Sequence, residues 1–287
     1  MPSLIDIRRR IRSVKNTQQI TKAMKMVSAA RLRRAQDRVI TARPYASLLR
    51  KVLSNLAVAV GADERASSNP LLARREEKRI LLLLFTSDRG LAGAFNSNLI
   101  KAAQKFIADH PGAELELETI GRKGRDFFRK QRSNISGEHV GILTKPQFHE
   151  ASAIGRKAIE RFRAGEIDAV YVLNNEFKSV ASQRLSVARL LPVEMPERTE
   201  AVDYIFEQPP TEMLEHLLPR YVETEVFRSM LETSAAEHAA RMMAMDTATS
   251  NASDMIGALT LYMNRVRQAS ITKEIIEVVS GAAAAAE

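Results

Sequence analysis

Two glycine-bearing stretches are the places where this chain of 287 residues could cradle a phosphate: Ser87-Asp88-Arg89-Gly90-Leu91-Ala92-Gly93 and Gly121-Arg122-Lys123-Gly124. The first follows an apolar run that reads as a buried strand and leads into a helical pattern, the position where backbone N–H groups at a helix start meet phosphate in α/β folds. The spacing is wrong for that chemistry. G-x-G-x-x-G gives a tight turn with close backbone approach, and G-x-x-x-x-G-K-[ST] adds a lysine and a hydroxyl for phosphate and magnesium; neither pattern is present. Both stretches are read as structural turns, the second as the cap of a strand.

Other reactive groups are as sparse. Cysteine is absent, which excludes disulfides, thiolate metal sites and cysteine nucleophiles and fits a reducing compartment. The five histidines, His110, His139, His149, His216 and His238, include no pair at metal-ligand spacing on one helix face. No Ser/His/Asp arrangement or carboxylate pair stands out, and Glu76-Glu77 with Glu114, Glu116 and Glu118 read as solvated charges. The expectation is a chain with no catalytic residue, no metal and no cofactor.

The formal net charge of +9 belongs to one segment: from Met1 to Arg43 there are 12 basic and 2 acidic residues. Such a helix could neutralise nucleic-acid phosphates, and a basic coiled-coil nucleic-acid-binding protein is the alternative that composition allows. Against it, the middle of the chain has no nucleic-acid motif and the last third is acidic. An arginine-rich start also resembles a transit peptide, but Asp6 interrupts it and serine is scarce, so it is read as mature structure. No apolar run approaches the roughly 18 residues of a membrane-spanning helix, and any membrane association is expected to run through partners.

The elements that would position these residues follow from periodicity. Ser3 with Asp6 looks like a capping box, after which Leu4, Ile7, Ile11 and Val14 alternate spacings of three and four. Ile20, Met24, Val27, Leu32, Ala35 and Val39 are read as continuing that apolar face. A bend or break is expected near Pro44, beyond which helical spacing resumes to Val60, for an arm of roughly 85 Å. The polar stretch Ala62 to Arg79 reads as a linker. Ile80 to Phe85 is a buried strand, Asn96 to Asp109 a helix, Leu115 to Thr119 a strand, Arg125 to Gln131 a short helix, Ala151 to Ala164 a helix and Ala169 to Leu173 a strand. Ser179 to Leu191 adds one more strand. This order implies a mostly parallel, Rossmann-like sheet flanked by helices.

From Thr211 the pattern is helical again for about 70 residues, roughly 105 Å, interrupted only by Pro219 and Gly257. Phe227, Leu231, Met245, Ala248, Ala252, Met255, Leu259, Tyr262, Val266, Ala269 and Ile276 share a seven-residue register, with Ser234, His238, Arg241 and Lys273 as its polar members. The 10 acidic and 6 basic residues between Thr211 and Ser280 face the basic first arm. The fold class is α/β with a long antiparallel coiled coil of the two chain ends: 1–60 as first shaft helix, 61–209 as inserted α/β domain, and 210–287 as second shaft helix.

Three blocks resemble the gamma subunit of bacterial F-type ATP synthases, and the likeness runs nearly end to end. They are Ile7 through Val27 with Ser13-Val14-Lys15-Asn16-Thr17-Gln18-Gln19-Ile20, continued by Gln36-Asp37-Arg38 and Arg43-Pro44-Tyr45; then Ser87 to Gly93; then Ala239 to Met245 with Arg267 to Ala282. The resemblance implies a central-stalk rotor that couples ion flow to ATP synthesis or hydrolysis in a hydrogen-ion-transporting complex without catalysis of its own. It implies an axle inside a ring of three alpha and three beta subunits, an α/β domain resting on the membrane c-subunit ring beside epsilon, and a peripheral place on the cytoplasmic face of the inner membrane. By the same match, Met24, Lys25, Arg241, Arg267, Gln268, Thr272 and Glu274 would form coupling contacts with beta, Arg267 and Gln268 on its catch loop. The apolar stretch Ile271 to Val279, followed by Gly281 and five alanines, would turn in the ring's hydrophobic sleeve. Pro219 departs from a straight arm, and no cysteine-bearing regulatory insertion of the chloroplast type is present.

Overall fold

The computed structural model describes residues 3–60, 69–180, 182–194 and 208–284. Of the linker expected from Ala62 to Arg79, residues 62–68 fall outside them, as do Ala285, Ala286 and Glu287. The chain divides into two compact units, Met1–Ser28 with Met242–Glu287, and Ala29–Arg241.

In the unit Ala29–Arg241 the sheet is built on β1 (Arg79–Phe85), whose residues from Ile80 on are all buried. Leucines at every position, rather than at alternate ones, mean that both faces are covered. β1 lies parallel to β2 (Glu114–Ile120) on one side and to β4 (Ala169–Phe177) on the other, with β3 (Ile135–His139) parallel to β2. β5 (Gln183–Leu191) closes the far edge antiparallel to β4, giving the order β3-β2-β1-β4-β5. The short connection between β4 and β5 forces that direction, since a parallel return needs a long crossover. β3 escapes sequence reading because Ile-Ser-Gly-Glu-His is short and half polar.

Helices α2 (Phe95–Asp109) and α3 (Arg122–Lys130) belong to one face of the sheet: Phe106 stacks on Tyr171 of β4 at 5.0 Å, and Gly124 sits close under Leu84. On the other face Leu81, Leu83 and Phe85 share a core with Ile154, Ala158 and Phe162 of α4 (Phe148–Arg163). That core continues into the two long helices through Leu53 and Leu56 of α1 (Leu4–Val60) and Leu218, Val222 and Val226 of α5 (Pro210–Ala284). Gly155 lets α4 approach α5; a methyl there would stand 3.3 Å from the Glu223 Cα. The acidic run on β2 is a correction to the sequence reading. Glu118 is fully buried, held by His139 Nε2 at 2.7 Å and Lys157 Nζ at 3.3 Å, and Glu116 pairs with Arg161 at 2.9 Å.

Neither proline ends its helix. α1 runs through Pro44 and α5 through Pro219, against the break expected at the first and the interruption expected at the second. A proline removes one backbone hydrogen bond and crowds the preceding turn, but the residues on either side are packed: Val39, Ala46 and Leu49 around Pro44, and Leu218 and Val222 around Pro219, are buried. Pairing is antiparallel in each unit. Arg43 meets Glu232 at 3.4 Å and Arg50 meets Glu225 at 3.1 Å in one, while Lys25 meets Asp246 at 2.6 Å and Thr21 meets Thr249 at 2.8 Å in the other.

Burial along α1 follows one heptad seam without a skip: Ile7, Ile11, Val14, Gln18, Thr21, Lys25, Ser28, Leu32, Ala35, Val39, Ala42, Ala46, Leu49, Leu53 and Leu56 are all covered, with Met24, Ala29 and Gln36 half covered beside them. Ile20 and Val27, read from sequence as seam residues, are 60% and 53% exposed. On α5 the expected register is covered from Phe227 through Ala252. Beyond it Leu259 and Val266 are covered together with Ile256, Met263 and Ser270, while Met255 and Tyr262 face outward. Threonine hydroxyls bond back to the carbonyl four residues earlier at Thr17 and Thr41 on α1 and at Thr247, Thr249, Thr260 and Thr272 on α5.

Candidate coupling surface

The outer unit, Met1–Ser28 with Met242–Glu287, has an apolar seam at Ile7, Ile11, Val14, Met245 and Ala252 that turns polar toward Ser28. Its first helix puts Thr21, Lys25 and Ser28 in the seam and leaves Ile20, Met26 and Val27 on the outside. Small and polar seam residues hold the helices together through specific hydrogen bonds rather than apolar area, which fixes register. Large apolar side chains in water mark a surface meant to be covered. Lys25 is a seam residue half covered and committed to Asp246, and Met24 beside it is also half covered. Sequence reasoning missed Met26 and misplaced Ile20 and Val27; the signal was available in the strict seven-residue series 7, 14, 21, 28, 35, which hydrophobicity alone obscured.

Arg267, Gln268, Thr272 and Glu274 lie together on the last part of α5, all exposed. Thr272 Oγ1 donates to the Gln268 carbonyl at 3.0 Å and Ser270 Oγ to Glu274 Oε1 at 3.3 Å. The antiparallel register set by Thr21 and Thr249 places the start of α1 at Leu4 close to Val266. Arg267 and Gln268 therefore stand where the helix pair ends. Beyond them, among the described residues, no helix stands opposite Ile271, Ile275, Ile276, Val278 and Val279, and Val278 is 71% exposed.

Arg241 is different in kind. In the inner unit it is 7% exposed, pairs with Glu237 at 2.7 Å, and donates to the carbonyls of Arg89 at 3.3 Å and Gly90 at 3.2 Å. The loop it grips is the glycine-bearing turn after β1. Asp88 there accepts from the Arg122 and Gly141 backbone N–H groups, each at 3.0 Å, and Ser87 Oγ donates to the Arg89 carbonyl at 2.6 Å. The loop's polar groups serve its own shape and its attachment to α5, in keeping with a structural turn. Burial pushes the Glu237 carboxyl above its ordinary range, with Arg241 working against the rise. Burial, then Arg241 and Arg31, lower neighbouring His238 to about 4. Among the described residues no group of three or more histidines and carboxylates is placed to hold a metal ion, and no helix is long and apolar enough to cross a membrane.

A model of the family described as ATP synthase matches residues 3–285. A protein of Solibacter usitatus (strain Ellin6076) described as ATP synthase gamma chain is 68% identical over 285 residues, covering 99% of this chain and 100% of its own. One of the same description from Pelotomaculum thermopropionicum is 50% identical over 287 residues, covering 99% of each. Among solved structures, a chain of the Tetrahymena thermophila mitochondrial ATP synthase central stalk and c-ring superposes with a TM-score of 0.63 at 26% identity, covering 80% of this chain and 99% of that one. A chain of the Euglena gracilis mitochondrial ATP synthase in rotational state 3 covers 98% of this chain and 94% of its own with a TM-score of 0.69 at 18% identity, a likeness of fold.

Proposed function

This chain belongs to the ATP synthase gamma-chain family, a non-catalytic rotor subunit of that complex, and we propose that its work is done by the exposed faces of its outer helix pair. Coupling between a shaft and a catalytic ring is a difference in interaction free energy between states, so the shaft must present unlike surfaces in different directions. The observation that carries this reading is the mixed use of apolar residues: around Thr21 to Ser28 polar groups sit between the helices, while Ile20, Met26, Val27 and the end of α5 keep their apolar side chains outward. In this reading the ring is made of alpha and beta subunits and covers those residues.

Arg267 and Gln268 are proposed as the contacts to the beta catch loop, with Thr272 and Glu274 one turn further on and Met24 and Lys25 as lesser contacts. Support comes from exposure and from their position at the end of the helix pair. Arg241 enters coupling through the loop it holds, since its guanidinium is spent inside the chain. Pairing of Lys25, Arg43 and Arg50 with carboxylates of α5 speaks against the nucleic-acid reading of the basic arm. As a subunit of a membrane-associated complex, the chain is proposed to sit peripherally on the cytoplasmic face, with its α/β domain against epsilon and the c-subunit ring. The division at 60/61 and 209/210 is proposed as the functional one, shaft against inserted domain.

Reconstitution with alpha and beta subunits tests this. The wild-type chain should yield an active ATPase, and the double variant Arg267→Ala, Gln268→Ala should assemble but turn over about tenfold more slowly, the size of a typical coupling free energy. A variant of unimpaired turnover removes the catch assignment. A wild-type chain that neither assembles nor alters ATPase activity removes the shaft reading in this form.

A further inference from the structure

In the inner unit, α1 and α5 present matched faces at the same spacing. Arg31, Arg34 and Arg38 stand opposite Leu231, Ser234 and His238, and between them, closed at one side by Lys145 and Pro146, is a cleft of about 400 Å³. Four cations line it and no carboxylate does. Among the described residues Arg31, Arg34 and Lys145 have no ion pair, and Arg38 donates only to the Pro146 carbonyl at 3.3 Å. Arg43, Arg50 and Lys25 of the same helix pair are matched to acids of α5. Like charges gathered around one cleft without a counterion repel one another unless an anion joins them.

A second observation points the same way. His238 lines the cleft, is 7% exposed, and its Nδ1 is buried without a hydrogen-bond partner. Buried polar atoms are nearly always satisfied, so an unpartnered ring nitrogen on a residue that lines a cationic cleft sets this place apart from the rest of the helix pair. We propose that this cleft binds a small phosphate-bearing anion, with the guanidinium groups of Arg31, Arg34 and Arg38 and the Lys145 ammonium on its oxygens and the His238 ring beside it. Guanidinium forks fit phosphate oxygens in pairs, and lysine adds a point charge. Burial together with Arg241 and Arg31 keeps His238 neutral near pH 7, leaving one ring N–H to donate. The site touches none of the residues assigned to coupling, so its presence is independent of that reading.

The test is calorimetric titration of the full-length chain with sodium pyrophosphate at neutral pH, alongside Arg34→Ala and Lys145→Ala, whose side chains are exposed and carry no packing, and Arg9→Ala on the remote basic arm. The expected result is one saturable site per chain, weakened about tenfold by either cleft variant as a charged hydrogen bond is lost, unchanged by Arg9→Ala, and accompanied by a shift of the His238 ring resonances. Absence of saturable binding overturns the proposal. So does binding that Arg9→Ala weakens as much as Arg34→Ala, which would be diffuse attraction to the basic arm, or binding of an acidic peptide where pyrophosphate does not bind.

Discussion

Arg241 and Glu237 form the one ion pair of α5 in which both side chains are nine-tenths covered or more. Such a pair adds little over apolar residues of the same size, but removing one member strands the other. Arg241→Ala is therefore expected to destabilise the chain by about 3 kcal/mol and to free the loop after β1, read by chemical denaturation and by faster amide exchange at residues 88–93. Arg241→Met with Glu237→Leu should recover most of the loss in stability but not the protection of the loop, whose carbonyls still lack the guanidinium. One turn away, His238 sets a pH dependence. Its neighbours are cationic from every side: Arg241 on α5, Arg31, Arg34 and Arg38 on α1, and Lys145 from the turn before α4. With a folded pKa of about 4 against an ordinary 6.5, the unfolded chain binds the proton first. Stability is then complete above pH 6.5 and falls between 6.5 and 4 by roughly 3 kcal/mol. In His238→Gln that slope should shrink, and pyrophosphate should shrink it in the wild type by supplying an anion to the protonated ring.

At the scale of elements, the turn between β2 and α3 is the least tolerant point of the fold. Gly121 has φ +108° and a Cβ there would meet the Thr86 carbonyl oxygen at 2.0 Å, while the Gly124 N–H donates to Thr86 Oγ1 at 2.9 Å. Gly121→Ala combines backbone strain with a clash against main chain and should cost at least about 3 kcal/mol, visible as a lowered denaturation midpoint with unchanged slope. Gly141→Ala, at φ +90° but with open space around its Cβ, should cost less, since strain acts there alone. The sequence made β1, α2, β2 and β4 legible because a run such as Ile80 to Phe85 has no other way to be buried. It made the two arms legible through their period. It hid β3, whose residues are half polar, and it hid the true seam of the outer arm, because Thr21 and Lys25 find partners in Thr249 and Asp246 and Ser28 is buried, while Ile20 and Val27 are exposed. Hydrophobicity marks a seam only where the seam has nothing else to do. The proposed coupling contacts rest on family resemblance, and for Arg241 the resemblance did not reveal that the side chain is turned inward.

For the molecule as a whole, the free chain is incomplete by the amount of apolar surface it leaves in water. Among the described residues no helix stands opposite Ile271, Ile275, Ile276, Val278 and Val279 at the end of α5, and short unsupported helix ends open readily. Amide exchange over residues 271–284 is expected to be fast in the isolated chain and slowed at least about tenfold on assembly with alpha and beta subunits, whereas residues 214–241 should be protected in both. Equal exchange in the two states would mean that nothing covers this end. The threonines that bond back along α5 add a mechanical consequence. A hydroxyl shared with the carbonyl four residues earlier loosens and bends a helix locally, and such groups occur at 247, 249, 260 and 272. They are separate points of lower bending rigidity in an otherwise regular helix. A helix of that kind is expected to yield under load and return the work as it straightens, with its softness shared among several turns between 247 and 272 instead of gathered in a hinge.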